Sequence, residues 1–529
     1  MRSTRKLLSA SLFSSTLASG VLADTESRCL ALKDSLHLEN TTILEVSYIA
    51  APTNVSTAGS CQSSAPVTYA PLCRVYFVVN TTEASAVHAE AWLPDTWYGR
   101  FLGLGNGGYQ GCIDYIDLDY GTSLHFASVS SNNGLDTSLS ARPFLNHPEV
   151  INDFASRAVH VEALIGKQIV SAYYGVSPER KLPSYFLGCS TGGRQGTQAA
   201  LKYPEDFDGI LAGAPGTDFN HLIGWQGMLS RFVGATVPPD LNLNPVANDT
   251  SPKFLSRELW GAVSEEILRQ CDGLDGIVDG VIADPDECDF DPAMLRCTEE
   301  RSTNCLTAPQ ETALRNIYSP LYGLDGELIF PRYAPGAEAD PAAVNIFGGS
   351  FWILASEWEK YAILNVTEHD FTHFGLRDIA LWDKINPGGI ATWDGNLAEF
   401  RDRGGKFLTY HGTRDQLISP TQSKRFYSLL SSTLNQSSSS LDDFYRLFFI
   451  PGMAHCAGGV GQGSIGQGTH EGTNLVNDSS HNALLALVDW VEGGKAPEVI
   501  IGVDGEGKER VHCKWPERSR FDGAAFVCV

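Results

Sequence analysis

The chain is 529 residues long and 43% hydrophobic, enough for large cores and for two to three domains. Acidic residues outnumber basic ones by 62 to 38, a formal charge of −24 that argues against nucleic acid as a partner. No stretch gives about 18 uninterrupted apolar residues, so no membrane-spanning helix is expected.

The first residues read as an export leader. Arg2, Arg5 and Lys6 precede an apolar and small-residue run from Leu7 to about Ala18, and Val21-Leu22-Ala23 offers a cleavage site. Removing residues 1–23 leaves a mature chain from Asp24 with 35 basic and 62 acidic residues, a charge of −27. Such acidity fits solubility in an acidic external medium. Twelve cysteines without CxxC spacing fit an oxidising compartment and six disulfides rather than zinc sites. Seven sequons, at Asn40, Asn54, Asn80, Asn248, Asn365, Asn435 and Asn477, agree with a secreted, extracellular protein.

β-branched and aromatic runs at Ile43 to Ala50, Cys73 to Val79 and Ala86 to Trp92 predict antiparallel strands. The short strand Arg100 to Leu104 then runs into Gly105-Asn106-Gly107-Gly108. Apolar residues at helical spacing from Val150 to Ile169 predict a helix over Glu149 to Tyr174. Next come a strand at Ser184 to Leu187, a helix from Gly192 to Tyr203 and a buried strand at Gly209 to Gly213. This alternation predicts an α/β fold, a parallel sheet covered on both faces. It stops over 216–381, a segment rich in Asp, Pro, Trp and cysteine that reads as an inserted lid domain between catalytic segments 24–215 and 382–529. A helix at Leu397 to Arg403, a strand at Lys406 to Tyr410, a helix at Pro420 to Leu430 and a strand at Tyr445 to Ile450 resume the pattern. Ser437 to Ser440 reads as a surface loop, and His481 to Val491 as a last amphipathic helix.

Ser190 stands in Gly188-Cys189-Ser190-Thr191-Gly192, between a predicted strand and a predicted helix. A sharp turn there, flanked by glycines, lifts a hydroxyl out of the backbone and sets it at a helix N-terminus. The motif alone is a weak signal. Its context adds the amide of Thr191 as an oxyanion donor, and the glycine run ending at Gly108 as the source of a second. His455 follows a predicted strand and comes last in the order Ser, acid, His expected of an α/β-hydrolase, with Asp415 after the strand Phe407 to Tyr410 as the acid. His411 precedes that acid and reads as structural. Both Ser190 and His455 have a cysteine as immediate neighbour. If Cys189 and Cys456 bond, their Cα atoms lie about 4.4 to 6.8 Å apart, which brings nucleophile and base near hydrogen-bond reach.

Asp272, Asp275 and Asp279 lie in a glycine-rich loop between Cys271 and Cys288, and from 271 to 292 there are eight acidic and no basic residues. Hard oxygen ligands on a tight loop suit calcium, though the spacing is not that of an EF-hand, and a solvated acidic loop fits equally well.

Taken together these residues resemble the tannase and feruloyl esterase family of fungal secreted esterases, over nearly the whole mature chain. The family's Cys-Ser, Asp and His-Cys pattern matches Cys189-Ser190, Asp415 and His455-Cys456, and implies an α/β-hydrolase fold with the two cysteines bonded. The resemblance implies a structural calcium in the lid on Asp272, Asp275 and Asp279 and the carbonyls of Ile277 and Val281, with no organic cofactor. It also implies the pairs Cys29–Cys73, Cys61–Cys112, Cys271–Cys288, Cys297–Cys305 and Cys513–Cys528. Substrates are then phenolic-acid esters of plant cell-wall sugars or small alcohols. Some tannases are cut in the lid at a Lys-Arg pair, which this lid lacks, so cinnamate-type esters are favoured over galloyl esters. Lid aromatics such as Phe351, Trp352, Trp358 and Tyr361 are candidates to meet the substrate. An inactive hydrolase-fold binding module and a peptidase are the competing readings, and the sequence fixes no oligomeric state.

Overall fold

The computed structural model describes residues 24–57, 60–61, 67–240, 250–468 and 476–529. The leader expected at 1–23 and the sequon at Asn248 lie outside them. The centre is a nine-stranded sheet. In chain order its strands are β1 (Thr41–Ile49), β2 (Leu72–Thr82), β3 (Ser85–Pro94), β4 (Phe101–Leu104), β5 (Ala127–Ser131), β6 (Ser184–Cys189), β7 (Gly209–Gly213), β8 (Lys406–Gly412) and β9 (Tyr445–Ile450). Across the sheet they run β1-β2-β3-β5-β4-β6-β7-β8-β9. β1, β2, β3 and β5 pair antiparallel, and every pair from β5 onward is parallel.

The parallel strands read as continuous apolar runs because both faces are buried. Successive residues point to opposite sides: Phe101, Phe186, Ile210, Phe407 and Leu447 enter one core, while Leu102, Leu187, Leu211, Leu408 and Phe448 enter the other. The helices that cover the sheet are α1 (Tyr115–Ser123), α2 (Ala158–Tyr174), α3 (Thr191–Lys202), α6 (Thr421–Leu434) and α7 (Ala483–Gly493), with α4 (Phe219–Phe232) and α5 (Leu376–Ile385) in the segment between β7 and β8. Ile169 of α2 and Phe426 of α6 pack in the first core, and Leu118 of α1 and Leu487 of α7 in the second. Each such fully buried side chain stabilises the fold by about 1.5–3 kcal/mol. The parallel half is the covered sheet that the alternation predicted, and the whole is the α/β-hydrolase arrangement that the resemblance implied.

Some elements differ from expectation. The helix expected over Glu149 to Tyr174 is a short helix at Pro148–Asn152, a π-helical turn at Asp153–Arg157, and then α2. Ser437 to Ser440 is no loop: Ser437 Oγ caps a four-residue helix, Ser438–Leu441, whose Leu441 is buried. α1 and β5 were not anticipated. Among its described residues the segment between β7 and β8 gives no strand to the main sheet, and its aromatic residues form a third core with Tyr109, Phe144 and Phe154. α5 straddles the boundary expected between 381 and 382, because Trp382 packs with Phe374 in that third core.

All six disulfides join the pairs that the resemblance implied. The six sequon asparagines within the described residues are exposed. Among those residues no helix is long and apolar enough to cross a membrane.

Candidate active site

The parallel register sets the site. Leu104 pairs with Leu187, Cys189 with Gly213, and Gly412 with Ile450, so the loops after β4, β6, β8 and β9 leave one edge of the sheet together. Ligands in open α/β sheets bind at this carboxyl edge. Ser190 follows β6 directly and caps α3 with φ 63° and ψ −121°, a conformation that non-glycine residues rarely adopt. Its own N–H donates to Gly213 O at 2.9 Å, and its carbonyl accepts from Gly216 N at 2.9 Å and Arg194 N at 3.0 Å. The turn needs glycine on both sides: a Cβ on Gly188 would stand 2.8 Å from Gly192 C and O.

The loops after β8 and β9 are stitched to each other. Arg414 N donates to Met453 O at 3.0 Å, Gly452 N to Thr413 Oγ1 at 3.0 Å, and His455 N to Gln416 Oε1 at 3.0 Å. His455 Nδ1 lies 2.8 Å from Asp415 Oδ2. Asp415 is buried, and its Oδ1 accepts from Leu417 N and Ile418 N, both at 2.8 Å. Burial alone would raise the Asp415 carboxyl, but the adjoining imidazoles of His455 and His411 outweigh it and hold the group well below the usual carboxylate range. His411 therefore does more than end a strand. Its Nε2 stands 3.1 Å from Asp415 Oδ2 and 3.0 Å from Ile418 O, and its Nδ1 2.7 Å from Ser423 Oγ. The sequence had not marked Gln416 or the contact from His411, since neither sits in a motif.

The Cys189–Cys456 bond links the Ser190 turn to the His455 loop, with Cα atoms 5.9 Å apart. Ser190 and His455 line one cavity of about 260 Å³ together with Thr191, Gly107 and Gly108. Gly108 has φ +52°, and its carbonyl accepts from Thr191 Oγ1 at 3.0 Å. The rest of the wall is mostly apolar, from Phe219, Leu222, Ile223, Trp352, Ile353 and Ile418. Of the four lid aromatics considered from sequence, Trp352 lines this cavity, whereas Phe351, Trp358 and Tyr361 are core residues.

The acidic loop folds on Asp272, whose carboxylate accepts from Asp279 N at 3.2 Å and Gly280 N at 3.0 Å. Arg510, almost fully buried, reaches Asp275 at 3.3 Å and Asp279 at 3.9 Å. Among the described residues no three His, Cys, Asp or Glu side chains are gathered as a metal cluster. Even so, Asp275 and Asp279 share one guanidinium, Asp272 has only backbone N–H partners among those residues, and Asp272 and Asp275 are buried. That excess negative charge and the hard oxygen donors fit a calcium ion.

The family model described as "Tannase and feruloyl esterase" matches residues 73–371 and 387–529. The chain belongs to this family. It is 40% identical over 511 residues to a probable feruloyl esterase B-2 of Aspergillus oryzae, covering 94% of this chain and 93% of that protein. The crystal structure of feruloyl esterase B from Aspergillus oryzae superposes with a TM-score of 0.89 at 37% identity, covering 96% of this chain and 100% of the other. Tannin acyl hydrolase from Aspergillus niger shares the fold, with a TM-score of 0.73 at 23% identity over 96% of this chain and 95% of its own. The protein is a carboxylic ester hydrolase.

Proposed function

We propose that this family member is a secreted serine esterase that releases ferulic, p-coumaric or caffeic acid from plant cell-wall sugars or soluble esters. The observation that carries the reading is the joining of Ser190 and His455 at one apolar cavity, with Asp415 on the far side of the imidazole. The His455 Nδ1–H donated to Asp415 Oδ2 leaves Nε2 with its lone pair free. Ser190 Oγ attacks the ester carbonyl carbon as its proton passes to Nε2. The charge on the former carbonyl oxygen is met by the N–H groups of Thr191 and Gly108, at the start of α3 and in the loop after β4. Collapse expels the alcohol, which takes the proton from His455, and leaves an ester on Ser190. Water, deprotonated by the same Nε2, attacks that ester, and a second tetrahedral adduct collapses to the phenolic acid and free Ser190.

The cavity wall supports a cinnamate ring over a galloyl one. Its buried polar side chains are already partnered: Trp352 Nε1 donates to Gln226 Oε1 at 2.7 Å, Gln226 Nε2 to Leu417 O at 2.8 Å, and the Tyr109 hydroxyl to Leu354 O at 3.0 Å. A ring with three hydroxyls would bury donors without partners, at about 1–3 kcal/mol each. The same reading gives the acidic loop one calcium, on Asp272, Asp275 and Asp279 and the carbonyls of Ile277 and Val281. When bound it neutralises buried charge and stiffens the loop. Export fits the six disulfides and the exposed sequon asparagines. A side-by-side assay of methyl ferulate, caffeate, p-coumarate, sinapate and gallate tests the substrate class. Methyl gallate turned over faster than all the cinnamates would replace this reading with the tannase one.

A further inference from the structure

The loop after β4 and the helix after β6 are joined by a pair of side-chain amides. Asn106 N donates to Gln195 Oε1 at 2.9 Å, and Gln195 Nε2 donates back to Asn106 Oδ1 at 3.1 Å. Asn106 Nδ2 then donates to Cys112 O at 3.1 Å and to Ser131 O at 2.9 Å. The chain of bonds fixes both amide orientations. A backbone N–H can face only an acceptor, so the Gln195 oxygen must point at it; its NH₂ then requires the Asn106 oxygen, whose own NH₂ meets two carbonyls. Gln195 and Asn106 are 2% and 5% exposed, where a lost partner is costly.

Thr191 and Gln195 lie four residues apart on one face of α3. They hold the two ends of the same short loop, Thr191 Oγ1 at Gly108 O and Gln195 Oε1 at Asn106 N. The backbones touch as well, since a Cβ on Gly105 would stand 2.7 Å from Gly192 Cα. Between the two anchoring atoms lie Gly107 and the N–H of Gly108; both glycines line the cavity with Ser190, and Gln195 is not among the lining residues. We propose that Gln195 is a positioning residue for ester hydrolysis: its amide locks Asn106 to the nucleophile helix, so that the Gly108 N–H and Ser190 keep the spacing the tetrahedral oxyanion requires. The proposal rests on the reading of Ser190 as nucleophile. Its effect should fall on the transition state and spare ground-state binding, because an oxyanion donor meets its charge only when the tetrahedral centre forms.

The test compares Gln195→Leu and Gln195→Glu with the wild-type enzyme, with active sites counted by mapping and titrating a fluorophosphonate adduct. Per labelled site, Gln195→Leu should lower kcat for methyl ferulate on the order of a hundredfold while KM stays within about threefold. Affinity for an arylboronic acid, which forms a tetrahedral adduct on serine, should fall in parallel with kcat/KM. If Gln195→Leu does not fold, Gln195→Glu carries the test. It keeps an oxygen on Asn106 N but sets a second acceptor against Asn106 Oδ1, and protonation restores the missing donor. Its deficit relative to wild type should therefore shrink as the pH is lowered. A folded variant with kcat and boronate affinity within about threefold of wild type at neutral pH overturns the clamp alone. A wild-type enzyme whose adduct is not on Ser190 overturns the reading of the site and the clamp with it.

Discussion

Removing the bridge between the nucleophile turn and the histidine loop, by Cys189→Ala with Cys456→Ala, should cost far more in turnover than in stability. The two cysteines are 267 residues apart in the chain, so the chain-entropy relation gives a stabilisation of about 5–6 kcal/mol. That figure is an upper bound, since the remaining disulfides already shorten the open loop of the unfolded chain. The positional effect has a local cause. Cys456 is held at φ +68°, a left-handed conformation that costs a non-glycine residue on the order of 1–3 kcal/mol and that the bridge helps to impose. Freed of it, residue 456 keeps, among the described residues, only the Tyr410 hydroxyl on its carbonyl, and His455 the bonds from its N–H to Gln416, from its ring to Asp415 and from Ala457 N to its carbonyl. A shift of about 1 Å between base and nucleophile can cost about a hundredfold in rate. The assay is kcat for methyl ferulate on a double mutant shown by circular dichroism and calorimetry to be folded. Near-normal turnover in such a protein refutes the argument that the bridge sets the geometry.

Asp415→Asn should lower kcat by roughly 10⁴, because the amide no longer fixes the His455 tautomer or offsets the imidazolium; an unchanged kcat counts against the acid. The depressed Asp415 carboxyl also predicts a pH dependence. A lowered folded-state pKa contributes stability that is fully present above the unfolded value of about 3.9 and is lost as the pH falls below it. The gap in Tm between wild type and Asp415→Asn should thus be widest near neutrality, begin to narrow only below about pH 3.9, and go on narrowing as the pH falls toward the depressed folded-state value. Exhaustive chelation should lower Tm through the loss of a ligand that binds only the native state. An unchanged Tm with no calcium by elemental analysis would leave Arg510 as the counter-charge to Asp275 and Asp279. Methyl sinapate and the other cinnamates should be preferred over methyl gallate, read as the ratio of kcat/KM, with a reversed ratio contradicting the apolar-wall argument.

The sequence showed the fold where burial leaves a pattern and hid it elsewhere. β6, β7, β8 and β9 were legible as apolar runs because they are covered on both faces. β5, with the sequence ASVSS, was not: Ser128, Ser130 and Ser131 are fully buried, and Ser130 Oγ accepts from Asp114 N at 2.8 Å, a contact no local pattern announces. The π-helical turn escaped for a similar reason, since one extra residue per turn barely disturbs helical periodicity. Ser190, Asp415 and His455 were legible from chain order and from the paired cysteines. The clamp at Gln195 was not, because its partner is 89 residues away and the two meet only after β4 and β6 pair. Trp352 could not be told from Trp358 by composition, as aromatic side chains serve core and pocket alike.

The claim on which the rest depends is that Ser190 carries the acyl group, and turnover of methyl ferulate by Ser190→Ala tests it most directly. The account predicts a loss of several orders of magnitude, down to the residual that oxyanion binding alone supplies. A folded Ser190→Ala enzyme that keeps more than about a tenth of wild-type kcat would contradict it.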